Sequence, residues 1–231
     1  GRTCALMKDG GVRCWGTNWG GQVGDGSRET RLVPVAVKGL TAGVVALTAG
    51  PSHACALTDL GGVKCWGDNN YGQLGDGTTE QRLTPVDVNG LTSDVATISA
   101  GALHTCAITK SGIAKCWGDN ANGALGDGTT TRRLDPINVL GLDADAARIT
   151  AGYGYTCALT TEGRAKCWGG NRSGELGDGT TLPRFTPVDV LGLTNGTKAI
   201  TAGWNHTCAV DAEERVKCSG ENIRGESGDG T

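Results

Sequence analysis

Residues 49–67 read Ala49-Gly50-Pro51-Ser52-His53-Ala54-Cys55-Ala56-Leu57-Thr58-Asp59-Leu60-Gly61-Gly62-Val63-Lys64-Cys65-Trp66-Gly67. Two short runs, His53 to Thr58 and Val63 to Gly67, flank the turn-forming stretch Thr58-Asp59-Leu60-Gly61-Gly62, which is the signature of a β-hairpin. A type I turn followed by a glycine bulge would close such a hairpin with a short loop and requires positive φ at Gly61. If Thr58 and Gly62 form the closing hydrogen-bonded pair, counting back along both strands sets Cys55 opposite Cys65 in a non-hydrogen-bonded pair. Such pairs hold their Cα atoms about 4.5 Å apart, within the span of a disulfide. The stretch therefore predicts a cross-strand bridge. Its contribution should be at or somewhat below the ~3 kcal/mol expected of a ~15-residue loop.

The same pattern runs through the chain. Cys4 and Cys14, Cys55 and Cys65, Cys106 and Cys116, Cys157 and Cys167, and Cys208 and Cys218 stand 10 apart within pairs and 51 apart between them. Asn18, Asn69, Asn120, Asn171 and Asn222 share another slot, as do Asp25, Asp76, Asp127, Asp178 and Asp229. Arg31, Arg82, Arg133 and Arg184 share a third, and Gly10, Gly61, Gly112 and Gly163 the bulge position, where the fifth repeat has Glu214. Beyond the hairpin, runs such as Arg82 to Val88 and Val95 to Gly101 add two strands. Four strands in 51 residues match the period of a propeller blade better than shorter helical or leucine-rich units. The expected fold is all-β, a β-propeller of four-stranded blades. About 4.5 repeats of 51 residues are present, with units near 1–48, 49–99, 100–150, 151–201 and 202–231, the first and last incomplete. Pro34, Pro85, Pro136 and Pro187 are expected to open an outer edge strand, where a missing N–H is tolerated. The Ala-Gly pair before the His53 slot should let neighbouring backbones approach where blades converge.

Composition narrows the function. With 40 Gly but only 6 Trp, 3 Tyr and 1 Phe, Val, Leu, Ile, Ala and Cys are expected to fill the core. A net charge of −3 without a basic block removes the electrostatic basis for binding nucleic acid or anionic membranes. No run approaches the ~18 apolar residues of a membrane span, and no charged-then-apolar leader precedes Arg2, so a soluble chain is expected. Five bridges would place it in an oxidising compartment: extracellular, at the cell surface or periplasmic. Ten buried free thiols in a cytosolic chain are the competing reading, while the Cys spacing lacks the short knuckles of structural zinc sites.

The pattern Ala-Gly-x-x-His-Thr-Cys-Ala-Leu-Thr-x-x-Gly-x-x-Lys-Cys-Trp-Gly-x-Asn-x-x-Gly-x-Leu-Gly-Asp-Gly-Thr resembles the regulator of chromosome condensation repeat. The resemblance covers the whole chain and implies a seven-bladed β-propeller, closed by pairing the two chain ends in one blade. With about 4.5 repeats, this chain is expected to leave blade edges open, as a partial propeller or one completed by assembly.

No nucleophile elbow, phosphate loop or metalloprotease helix is present, and neither a cofactor nor a metal is expected. His53, His104 and His206 share a slot with Tyr155; a slot that accepts a tyrosine reads as structural. The repeated Asp is too sparse for a calcium loop and reads as a turn cap. The repeated Arg, with Arg13, Lys64, Lys115, Lys166 and Lys217, is expected to pair with those aspartates or cover Trp faces. Residues common to every blade are explained by the blade, so binding is sought where repeats differ. Those positions, before the His slot and after Trp-Gly, hold Trp19, Tyr71, Tyr153 and Trp204 with Arg172 and Arg224, the side-chain types that anchor interfaces. Sequons begin at Asn171, Asn195 and Asn205, with Asn195 the best candidate for glycosylation.

Three functional classes follow. The first is an extracellular, non-catalytic scaffold for a protein partner, which the resemblance implies through secreted bacterial relatives that include a β-lactamase inhibitory protein. The second is a structural subunit that assembles through open blade edges. The third, nucleotide exchange on a small nuclear GTPase with docking on nucleosomes, is implied by the family's founding member; the cysteines and weakly acidic charge argue against it.

Overall fold

A computed structural model of the chain describes residues 1–228 and 230. Among them lie eighteen strands in five antiparallel sheets. The first sheet contains β1 (Arg2–Leu6), β2 (Val12–Gly16) and β3 (Arg31–Ala36). The second contains β4 (Val44–Ala49), β5 (His53–Thr58), β6 (Val63–Gly67) and β7 (Arg82–Asp87). The third holds β8 (Val95–Ala100), β9 (His104–Thr109), β10 (Ala114–Gly118) and β11 (Arg133–Asn138), and the fourth β12 (Ala146–Ala151), β13 (Tyr155–Thr160), β14 (Ala165–Gly169) and β15 (Arg184–Asp189). The fifth has β16 (Ala199–Ala202), β17 (His206–Val210) and β18 (Val216–Gly220). Each complete sheet takes its first strand from the stretch before the Ala-Gly pair, so hydrogen-bonded blades run one strand out of phase with units cut before the His slot.

The hairpin forms with the predicted geometry. Thr58 N donates to Gly62 O at 2.8 Å, Gly61 N donates to Thr58 O at 2.9 Å, and Gly61 takes φ 83°. Cys55 stands opposite Cys65. All five bridges are present with Cα atoms 4.1 Å apart. In the fifth hairpin Glu214 itself adopts φ 66° and pairs with Lys198 at 2.7 Å.

β4, β8, β12 and β16 contact one another in succession and form the inner wall. A Cβ on Gly101 or Gly152 would lie 2.7 Å from the carbonyl oxygen of Gly152 or Gly203, so the Ala-Gly pair is where the backbones converge. β3, β7, β11 and β15 pair on one side only and form the outer edge. The prolines stand on these edge strands, but each strand begins three residues earlier, at Arg31, Arg82, Arg133 or Arg184. A bulge opposite Trp66, Trp117 or Trp168 explains why a residue without an N–H fits inside the ladder.

The core lies between successive sheets. Cys55, Leu57, Val63, Leu74, Val88 and Leu91 of the second sheet and its loops pack with Ala107 and Trp117 of the third, and the grouping recurs around the molecule. Aliphatic residues and cysteines supply most of it, as composition predicts. A single tryptophan closes each of three junctions: Trp66, Trp117 and Trp168 are fully buried against the preceding sheet. Among the described residues the cation–aromatic contact is Arg132 over Tyr71, and no basic group is stacked on these three rings.

Candidate partner-binding face

The repeated side chains are bound to one another. Asn120 shows the pattern: its Nδ2 donates to Asp127 Oδ1 at 3.0 Å and to the carbonyls of Thr129 and Thr131 at 3.1 Å, while its Oδ1 accepts from Leu125 N at 3.0 Å. Asp127 also accepts from Thr129 and from Arg133, at 2.7 Å each. Burial alone would raise the Asp25, Asp76, Asp127 and Asp178 pKa values. Hydrogen bonds from the neighbouring hydroxyls, amides and arginines outweigh it and hold the carboxyls below the usual range. The predicted pairing of arginine with turn aspartate is thus present in four repeats; Asp229 lies outside the described residues. Lys64 and Lys166 instead pair across the sheet with Asp87 and Asp189.

The His slot stitches one blade to the next. His53 Nε2 lies 2.8 Å from Thr105 Oγ1, which donates its only proton to Gln73 O at 2.7 Å. Nε2 therefore carries the histidine proton. Trp117 Nε1 donates to the same carbonyl at 3.0 Å. His104, Thr156, Ala124 O and Trp168 repeat the arrangement. Burial holds the His53 and His104 pKa values down, to about 3 and about 4. Tyr155 replaces histidine by donating to His206 O at 2.5 Å, and burial pushes its phenol up to about 12. At the first junction the threonine position is Ala54, and Arg2 occupies the His slot. Its guanidinium donates to the carbonyls of Gln22, Gly50 and His53, and burial lowers its pKa to about 10. Sequence reading missed this role, although Arg2 stands one 51-residue period before His53.

The variable positions remain. Because His53 faces Gly67 in the ladder, the loop entering each β5-type strand and the segment leaving each β6-type strand emerge at the same end. Trp19, Tyr71, Tyr153, Arg172, Trp204 and Arg224 therefore share one face of the propeller. Tyr153 and Trp204 stack with ring centroids 5.0 Å apart. With Pro51 and Ala102 they line a cavity of about 210 Å³ where the inner strands end. Arg172 lies beside Tyr153 across a second cleft. Tyr71 stands apart beneath Arg132, whose guanidinium is 5.1 Å from the ring centroid. Trp19, 76% exposed, and Arg224 are not brought to this group.

Of the sequons, Asn171 is buried with its amide donating to Asp178, Thr180 and Leu182, which leaves no room for a glycan. Asn205 is half-buried and donates to Glu221, while Asn195 is exposed. Among the described residues no cluster of three or more His, Cys, Asp or Glu could hold a metal, and no helix is long and apolar enough to cross a membrane.

A family model for the RCC1-like domain matches residues 1–231. The chain belongs to the RCC1-like domain family. Its sequence is 33% identical to the ultraviolet-B receptor UVR8 of Arabidopsis thaliana over 98% of this chain and 52% of that protein. It is 31% identical to the mitochondrial RCC1 domain-containing protein RUG3 of the same plant, over 96% of this chain and 52% of the relative. The chain thus spans about half the length of these curated RCC1-like relatives. Prp20p of Saccharomyces cerevisiae superposes with TM-score 0.86 at 23% identity, over all of this chain and 58% of that one. Human WBSCR16 gives 0.80 at 23%, over 91% and 55%. These likenesses establish the RCC1-like propeller fold.

Proposed function

We propose that the chain is an extracellular, non-catalytic scaffold that holds a protein partner on the face carrying Tyr153 and Trp204. One observation carries the reading: repeated polar side chains are engaged within and between blades, whereas a stacked, exposed aromatic pair stands where repeats differ, beside Arg172, which has no ion pair among the described residues. Aromatic and arginine side chains beside a small apolar depression form the core of many protein interfaces. Five disulfides support an oxidising compartment. Yeast Prp20p, of the same fold, binds Gsp1p and histones. The test places a photo-crosslinking phenylalanine analogue at Trp204 or at Leu60, an exposed turn residue on the opposite face, in medium from the native source. Adducts at position 204 and none at 60 are expected. Adducts at 60 alone, or at neither, would overturn the reading, and ten titratable thiols in native protein would overturn its compartment.

A second reading, assembly through open blade edges, is favoured by Leu32. Leu83, Leu134 and Phe185 pack on the glycine turns at Gly21, Gly72 and Gly123 of the preceding blade, whereas Leu32, at the same slot in the first blade, is 89% exposed. Sedimentation should then show association that Leu32→Glu abolishes; a monomer at all concentrations would count against it.

A further inference from the structure

Beside Tyr153 the face opens into a cleft of about 370 Å³ bordered by Asn122, Tyr153, Gly170, Arg172, Glu175 and Asn205. Gly170 lines it, and a Cβ on Gly154 would lie 2.9 Å from Nδ2 of the lining Asn122. The slot holding Asp68, Asp119 and Glu221 in other repeats is Gly170 in the fourth, and the slot holding Ser52, Leu103 and Asn205 is Gly154.

Around this space stand groups with hydrogen-bonding capacity to spare. Among the described residues Arg172 has no ion pair and the Asn122 amide no hydrogen bond. Glu175 is buried; its Oε2 accepts from Ser173 N at 2.7 Å, and it has no cationic partner. Asn205 donates to Glu221 at 2.9 Å, leaving its amide oxygen available. Tyr153, 49% exposed, supplies an aromatic wall. An anion drawn by Arg172 would meet Glu175, and a cation drawn by Glu175 would meet Arg172. A neutral ring bearing hydroxyls suits all of them. Guanidinium, carboxylate and amide are planar groups able to engage adjacent hydroxyls, and an aromatic surface accepts the apolar face of a sugar ring. The volume falls in the lower range of small-ligand pockets.

We propose that this cleft is a saccharide-binding site for a neutral pyranose. The inference gives a ligand class to one part of the face assigned above to a protein partner, and it can fail separately from that assignment. Gly170→Asp is the decisive variant. Its backbone is not left-handed, and a Cβ there would meet Gly154 O at 3.4 Å and Asn122 Cβ at 3.6 Å, ordinary contacts. Two other repeats carry aspartate at this slot, so the variant should fold while filling the cleft.

Saturation-transfer NMR on the full chain, with methyl pyranosides of glucose, galactose, mannose and N-acetylglucosamine as probes and acetate as a charged control, reads the result. At least one glycoside should receive saturation. Gly170→Asp should abolish the signal with an unchanged thermal melt, and Arg172→Ala, at an exposed position, should weaken binding about tenfold. Silent glycosides, binding of acetate alone, or wild-type binding by both variants would overturn the proposal. The Trp204 photo-adduct reports the partner reading by itself: an adduct with silent glycosides removes the saccharide and keeps the partner, and the converse result does the reverse.

Discussion

The junction between the second and third blades and the open face above the fourth and fifth use the same residue types for opposite ends. At the junction Trp117 is fully buried, its Nε1 shares the Gln73 carbonyl with Thr105, and His53 completes the relay. On the face Trp204 is 66% exposed and touches Tyr153 by stacking. Tryptophan thus holds blades together where the repeat prescribes it and forms an exposed surface where it does not. Departures from the period serve two ends: Arg2 and Tyr155 bond across blade junctions, whereas Tyr153 and Trp204 stay exposed.

This contrast can be broken at several points. Complete reduction strikes the structural side hardest. Five bridges, each worth about 2–3 kcal/mol, should together shift the melting temperature by about twenty degrees or more; an unchanged calorimetric melt would show the bridges idle. Next, Asn120→Ala strands the Leu125 amide and the carbonyls of Thr129 and Thr131, and should cost about 3 kcal/mol by denaturant titration.

A finer test uses pH. His53 and His104 stay neutral in the fold and titrate there only near 3 and 4, whereas in the unfolded chain they take up protons below about 6.5. Their contribution is therefore fully present above pH ~6.5 and is lost as pH falls toward the folded values, at about 1.4 kcal/mol per pH unit per histidine. The turn aspartates, also held below their ordinary range, add their loss only at lower pH. Melts between pH 7 and 4.5 isolate the histidines, and His104→Tyr, the residue the next repeat carries, should halve the slope. A slope that the substitution leaves intact would remove the histidines as its source. Smallest of all, Arg172→Ala and Tyr153→Ala should change stability by less than about 0.5 kcal/mol, a difference chemical denaturation can bound.

Much of the blade was legible because its decisive contacts are local. Gly61, Cys55 and Cys65 lie within one hairpin, and turn chemistry alone sets their register. The junctions were not, since Trp117 donates to a carbonyl 44 residues earlier and neither partner announces the other. The relay's replacement by Arg2 with Ala54 appears only when the first repeat is aligned slot by slot. On the face, the aromatics stood out as departures from the period. The sequence could not show that Tyr153 and Trp204 meet while Trp19 stands apart, because their spacing depends on how blades turn about the axis. Gly170 carries no signal of its own: a missing side chain is visible only against what the other repeats hold there.

The most direct test compares two tryptophans in one thermal-unfolding measurement. Trp117→Ala should lose about 3–5 kcal/mol and melt about ten degrees lower, while Trp204→Ala should melt within about two degrees of the parent. A Trp204→Ala variant that falls as far as Trp117→Ala would make the exposed aromatic a structural element and contradict the division between blades that build and a face that binds.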